Sequence, residues 1–375
     1  MKLRLAIFLI TSMMMCHQVA SGQTAPKYSN EFLSIGVGAR ALGMSNAITA
    51  IVNDGTAGFW NPAGLTHLQS NLQISLMHTQ YFAGIARYDY GSLAFRGGTE
   101  NFFAISVIRF GVDDIPDTSE LIDAEGNINY DRIRSFSASD MAFVLSYARR
   151  IPTVENLSFG ANAKIIRRSA GDFAGAWGFG LDAGIQYQTG QWKFAATLRD
   201  ATTTFTAWSY NFSESIREAL TLTGNTIPES SLELTLPRLV LGAARQFTLG
   251  EQFGLLTSLD LEITTDGRRN VLISGDPFSM NPNFGMEFSF RDMIFFRAGM
   301  GRFQTYTRTD MERRPAVQLN MGVGLNLGRR FTIDYALTNA GTDNRALYSN
   351  VFSLRYNIDR RENRQQDNTQ NTPQP

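Results

Sequence analysis

The sequence predicts a transmembrane, all-β outer-membrane fold: an antiparallel β-barrel of about fourteen strands with an N-terminal hatch segment. Three observations carry this prediction. Apolar and polar residues alternate over runs of about ten positions, which puts one oily and one polar face on each strand. The breaks between the runs alternate between short and long. Beyond the first twenty-odd residues no apolar run approaches the ~20 residues of a spanning helix. The average composition fits as well: of 375 residues 43% are hydrophobic and mean hydropathy is −0.16, because lipid-facing and lumen-facing residues cancel in a barrel. The formal net charge of zero gives no electrostatic pull toward nucleic acid.

Residues 1–22 read as a secretory signal peptide. Lys2 and Arg4 precede an apolar run from Leu5 to Met15, and Ala20-Ser21-Gly22 supplies small residues for cleavage. Cys16 follows Met15 rather than the small residue a lipidation site requires, so it is expected to leave with the signal. The mature chain then has no cysteine, and hence no disulfide, Cys nucleophile or Cys/His metal site.

Residues 23–70 differ in kind from the remainder of the chain. Ala39 to Ile51 has helical spacing with small residues, and Asn53-Asp54-Gly55 reads as a stop. Asn61 is a good N-cap with Pro62 at the first helical position, so a short helical turn starts there. In a lumen this segment is a plug; the alternative is a periplasmic arm packed below the barrel.

Residues 71–358 form the predicted barrel. Val317 to Leu327 is the cleanest strand, with apolar odd positions against Gln318, Asn320, Gly322, Gly324 and Asn326. Trp177 to Tyr187, Phe284 to Phe290 and Phe352 to Ile358 repeat the pattern. Short breaks near 97–100, 151–155, 189–191, 249–252, 290–292 and 328–330 interleave with seven other loops, the longest at 112–136, 202–236, 265–281 and 305–315. That asymmetry predicts an outer-membrane barrel with both termini periplasmic. Glycines on the polar faces make room where other backbone approaches, and an occupied lumen accounts for them. Basic residues are nearly all arginine (the lysines are Lys2, Lys27, Lys164 and Lys193). Arginine forms the fixed carboxylate pairs a narrow polar lumen can use, and a general surface preference for arginine over lysine accounts for the bias equally well. Residues 359–375 are polar and expected to be disordered.

No catalytic constellation emerges, so no enzyme, cofactor or metal is expected. His17 belongs to the signal; His67 and His78 remain, and His78 reads as a strand-end residue at a membrane interface. Gly36-Val37-Gly38-Ala39-Arg40-Ala41 fits a dinucleotide fingerprint, but no βαβ unit surrounds it. The stretch 202–236 is read as the principal external loop. Phe205, Trp208, Tyr210 and Phe212 lead to Ser213, a cap for a short helix with Ile216, Ala219 and Leu220. A loop this apolar needs cover from its own packing, a partner protein or a hydrophobic ligand.

The N-terminal residues also carry a resemblance. Gly38-Ala39-Arg40-Ala41-Leu42-Gly43-Met44, then Asn53-Asp54, then Phe59-Trp60-Asn61-Pro62-Ala63-Gly64-Leu65 resemble the opening of the PorV/PorQ family, itself similar to FadL-type barrels with a hatch. The resemblance assigns Arg40, Gly43, Asn61, Pro62 and Gly64 to a hatch motif. Members often have a more acidic, alanine-rich stretch where this chain has Asp54-Gly55-Thr56-Ala57-Gly58, which leaves the subgroup open. The resemblance implies a bacterium of the Bacteroidetes kind, and a part in type IX secretion. There such a barrel, set in outer-membrane lipid, binds secretion components and cargo through the cargo's C-terminal signal domain. The alternative function is a FadL-like transporter of hydrophobic small molecules.

Overall fold

The structure is a computed structural model that describes residues 29–118, 121, 127–214, 216–217, 221, 230–307, 313–339 and 348–359. The predicted signal peptide, the tail beyond residue 359, Ala219 and Leu220 lie outside these residues.

The alternating runs become β1 (Leu72–Tyr81), β2 (Ala86–Arg96), β3 (Asn101–Asp117), β4 (Arg134–Arg150), β5 (Leu157–Ala170), β6 (Ala174–Thr189), β7 (Trp192–Arg199) and β8 (Thr204–Tyr210). They continue as β9 (Ser230–Thr235), β10 (Arg238–Leu249), β11 (Phe253–Thr264), β12 (Ser279–Phe290), β13 (Ile294–Thr307), β14 (Arg313–Leu327), β15 (Phe331–Thr338) and β16 (Ser349–Ile358). All pairings are antiparallel, and β1 pairs with β16 from Leu72↔Ile358 to Gln80↔Asn350, so the sheet closes on itself. β8 continues β7 along β6, and β9 continues β10, so the sixteen strands make fourteen staves. The six short turns all lie at one end, together with the start of β1 and the end of β16.

The pleat sorts the residues as the alternation requires. On β14, Leu319, Met321, Val323, Leu325 and Leu327 are exposed on the outside, while Asn320, Gly322 and Gly324 are buried. Aromatic residues flank the oily belt near the turn end, where Trp192 stacks on Phe194 at 5.9 Å and carries Arg245 on its ring. Such girdles sit at the lipid–water boundary of barrels.

The seventh stave is broken. Leu198 pairs with Ala183 and Phe205 with Phe179, so seven steps on this stave face four on β6. Asp200 and Thr203 absorb the excess in left-handed backbone, at φ 54° and 61°. The bulge aims Asp200 inward, which fits the way bulges re-aim side chains.

Hydrophobic burial lies inside the ring, and residues of the N-terminal segment supply much of it. Val37, Leu42, Met44, Ile48, Val52, Trp60 and Leu65 are buried against one another and against Met77, Tyr88, Tyr90, Phe102 and Ile108 of the wall. The expected helix from Ala39 to Ile51 is only Ala39–Gly43. Ser45 and Asn46 take left-handed φ of 52° and 67°, which ends a right-handed helix. The chain bends there to follow the curved wall at Gly285 and Gly299, whose missing side chains admit Met44. The Asn61 cap forms as expected: its Oδ1 accepts from Ala63 N at 3.1 Å, with Pro62 opening a 3-10 helix to His67.

Candidate functional site

The segment 29–68 lies between a loop-side chamber and a turn-side chamber. The loop-side chamber, about 440 Å³, has a floor of Phe32, Ile35 and Leu42 and apolar wall residues Tyr81 and Phe110. Asn46, Asn283, Asn320, Asn339, Arg168 and Arg302 add polar groups around it. The turn-side chamber, about 890 Å³, is lined by Arg40, Glu287, Arg297, Arg355 and polar residues of the turns.

Buried ion pairs tie the segment to the wall. Arg40 donates from Nε and Nη2 to Glu287 at 2.8 Å each, and from Nη1 to Asn53 at 3.0 Å. Glu287 also accepts from Arg297 Nε at 2.6 Å, and Arg297 reaches Asp334 at 2.7 Å. Burial works against ionisation of Asp54, but Arg355 at 2.6 Å and the Thr56 donors hold its carboxyl below the usual range. Asp260 accepts from Ile48 N and Thr49 N at 3.0 and 2.9 Å. Across the lumen, Lys164 bridges Asp182 at 2.7 Å and Asp200 at 2.6 Å. The ion pairs compensate Arg40, Glu287, Arg297, Asp334, Asp54, Arg355, Lys164, Asp182 and Asp200 where water is scarce, as burial demands. Asp260, by contrast, is held by donors of the segment and not by an ion pair.

The five residues of the predicted hatch motif all contribute to this packing. Besides Arg40, Asn61 donates to Ile185 O at 3.0 Å. Gly43 lies on Gly322 of β14, where a Cβ on Gly43 would stand 3.2 Å from the Gly322 Cα. Pro62 fills the space above Gly160, and Gly64 fits under Val52 O. The wall carboxylates and the broken stave are not foreseen from the sequence; Asp182, Asp260, Glu287 and Asp334 at inward strand positions are the available signal.

The predicted loop needs correction. Residues 204–210 and 230–235 are paired strands, so both ends of the expected loop at 202–236 are wall and the connection between them is 211–229. Strand alternation then splits the aromatic set. Phe205 is 47% exposed on the outer face, while Trp208 and Tyr210 lie on the opposite face with the buried Thr204 and Thr206. Trp208 stacks on Tyr210 at 6.4 Å, Tyr210 on Phe212 at 5.9 Å, and Arg168 lies over Trp208 at 4.9 Å. Ile216 is half-buried beside Ser213, whose Oγ accepts its N–H at 3.4 Å.

His67 abuts Gln188 with 3.3 Å between their nitrogens, and burial beside Lys193 and Arg150 pulls its pKa down to about 4. His78 is exposed and pairs with Asp89 at 2.7 Å. Among the described residues no cluster of three or more His, Cys, Asp or Glu side chains is arranged to hold a metal.

The fold and its interior define a closed antiparallel barrel whose lumen is occupied by its own N-terminal residues. Solved structures are similar in fold. The CymD monoaromatic hydrocarbon channel aligns over 88% of this chain and 99% of its own, with TM-score 0.53 and 14% identity. The Ralstonia pickettii toluene transporter TbuX aligns over 86% and 98%, with TM-score 0.51 and 15% identity. A Pseudomonas aeruginosa FadL homologue aligns over 86% and 98%, with TM-score 0.51 and 13% identity. At such identities the likeness is one of fold. No family model matches the sequence, and no curated protein does. These neighbours are a hydrocarbon channel, a toluene transporter and a FadL homologue, and their names do not support the PorV/PorQ family that the hatch motif suggests.

Proposed function

We propose that this chain is an outer-membrane barrel, plugged by residues 29–68, that admits small hydrophobic molecules into its loop-side chamber. The observation that carries the reading is that chamber. Its volume, about 440 Å³, falls in the ordinary range of ligand pockets, about 300–1,000 Å³. Its floor of Phe32, Ile35 and Leu42 offers apolar contact. The names of the fold neighbours, a monoaromatic hydrocarbon channel and a toluene transporter, support the same class of guest. Nothing in the site calls for bond-making chemistry, which supports a transporter over an enzyme. Of the aromatics read as a partner-binding set, Phe205 lies on the outer face while Trp208 and Tyr210 face inward. They are not displayed together for a partner protein, and the transport reading is preferred.

Binding of radiolabelled toluene and of a long-chain fatty acid to the purified barrel tests it. Ile35→Asp, which sets a carboxylate in the apolar part of the chamber floor, should weaken binding about tenfold, since an apolar guest must then displace the water around a charge. Failure of the folded barrel to bind either probe, with recovery of a secreted cargo's C-terminal domain from native membranes, would overturn the reading.

A further inference from the structure

The oily belt around the barrel is uneven. On β14 it runs from Val317 to Leu327 and on β12 from Met280 to Phe290, eleven residues each. On β6 it runs from Trp177 to Tyr187. At about 40° of tilt, eleven residues stand about 28 Å tall, which matches the ≈ 25 Å band of outer-membrane barrels. On β1 the belt is only Leu72, Ile74 and Leu76, five residues and about 13 Å. The next outward residue is His78, in register with Asp89 of β2, itself in register with Arg109 of β3. All three are on the outer face, with side chains 51%, 41% and 37% exposed. His78 Nδ1 lies 2.7 Å from Asp89, Arg109 lies 4.0 Å from it, and Arg87 lies 3.4 Å from Asp113 just above.

We propose that the bilayer is pinched against this flank, so that head groups and water of the loop-side leaflet descend to His78, Asp89 and Arg109. The inference rests on the reading that the barrel spans a membrane. Full-depth hydrocarbon here would surround charged groups that water now satisfies. A tilted barrel is no remedy, because tilt shifts a belt of constant height and does not narrow it. Two features select lipid head groups over a protein as the occupant. The belt narrows by steps, reaching Phe352 on β16, Leu76 on β1, Val107 on β3 and Met141 on β4 before polar residues begin. That is the profile of a smoothly deformed sheet rather than a bounded footprint. The charges also neutralise one another in pairs, leaving a surface that asks for water rather than for a complementary charge. Matching a short apolar stretch by thinning the bilayer is an established response of membranes.

Cysteine accessibility in phosphatidylcholine proteoliposomes tests this, with the wild-type chain setting the background. His78 stands six residues above Leu72, and Met321 six above Leu327, so the two occupy similar heights three staves apart in the ring. With a membrane-impermeant maleimide, His78→Cys and Arg87→Cys should react about as fast as Tyr130→Cys in the exposed β3–β4 loop. Met321→Cys should react at least about tenfold more slowly, since hydrocarbon excludes the reagent. Slow reaction at both His78→Cys and Arg87→Cys in a heat-modifiable barrel would overturn the pinch. Fast reaction at Met321→Cys as well would instead defeat the membrane-spanning reading. Reaction at His78→Cys in proteoliposomes but protection in native cells would replace lipid with a protein on this face.

Discussion

His67 shows how one side chain makes the docked segment sensitive to acid. Its pKa falls from 6.5 to about 4 through burial, with Lys193 and Arg150 adding repulsion. Between those values the undocked chain binds more protons than the docked one, so docking is fully stable above about 6.5 and weakens as pH falls to about 4. Proteolysis of residues 29–68 should therefore accelerate as pH drops through that window, and His67→Gln should remove part of the dependence. An unchanged profile in His67→Gln would assign the sensitivity to carboxylates such as Asp54. The contact of Gly43 with Gly322 makes a second residue-scale prediction. A side chain at Gly322 would meet the Gly43 Cα at 3.4 Å and the Tyr335 carbonyl at 3.1 Å, so Gly322→Val should loosen the segment at neutral pH while the barrel still closes. In the sequence, Gly322 is legible as space for another backbone. Which backbone fills it is not, since that partner lies far away in the chain.

At the scale of single elements, β14 separates lipid from lumen. Val323→Arg should reduce the heat-modifiable fraction on gels, because arginine near the bilayer midplane of a barrel costs about 2–4 kcal/mol. From alternation alone, Asn320→Arg is the mild change on the other face. The structure revises that. Asn320 is 4% exposed, donates to Ser45 Oγ at 3.0 Å and accepts from Asn339 N at 3.0 Å. The longer side chain should displace the turn at Ser45 without preventing closure, giving a folded barrel with raised conductance. Strand facing is legible because its period is local, and so are the six turns. The break at Asp200–Thr203 and the strands on either side of the 211–229 connection are not. Short runs such as Thr204–Tyr210, rich in aromatics beside Thr and Ser, look the same in a loop and in an extended wall; their pairing with β6 decides.

For the molecule as a whole, the segment and the wall are expected to be separable. Deleting residues 29–68 should leave a heat-modifiable barrel and raise its conductance in planar bilayers, since the deletion removes the residues between the two chambers. Conductance equal to that of the intact chain would show that the segment does not limit passage. The motif at Arg40 and Asn61 makes the hatch-like segment legible in the sequence; its ion-pair partners are not, because Glu287 and Arg355 stand hundreds of residues away and are marked by no motif.

That separation in the chain also governs assembly. At the helix Ala39–Gly43, Ala39 N donates to Ser353 Oγ at 2.8 Å, and Asp54 accepts from Arg355, contacts spanning 314 and 301 residues. The first part of the folded chain is therefore waiting for the last strand, and little local structure holds it meanwhile. Contacts of such high order are slow to form, so closing the β1–β16 seam and seating the segment are coupled late events. Until then Arg40, Glu287, Arg297 and Asp334 are solvated by water, and sealing the lumen must desolvate all four as they pair. An assembly factor that holds that seam open would set the time at which the lumen is sealed.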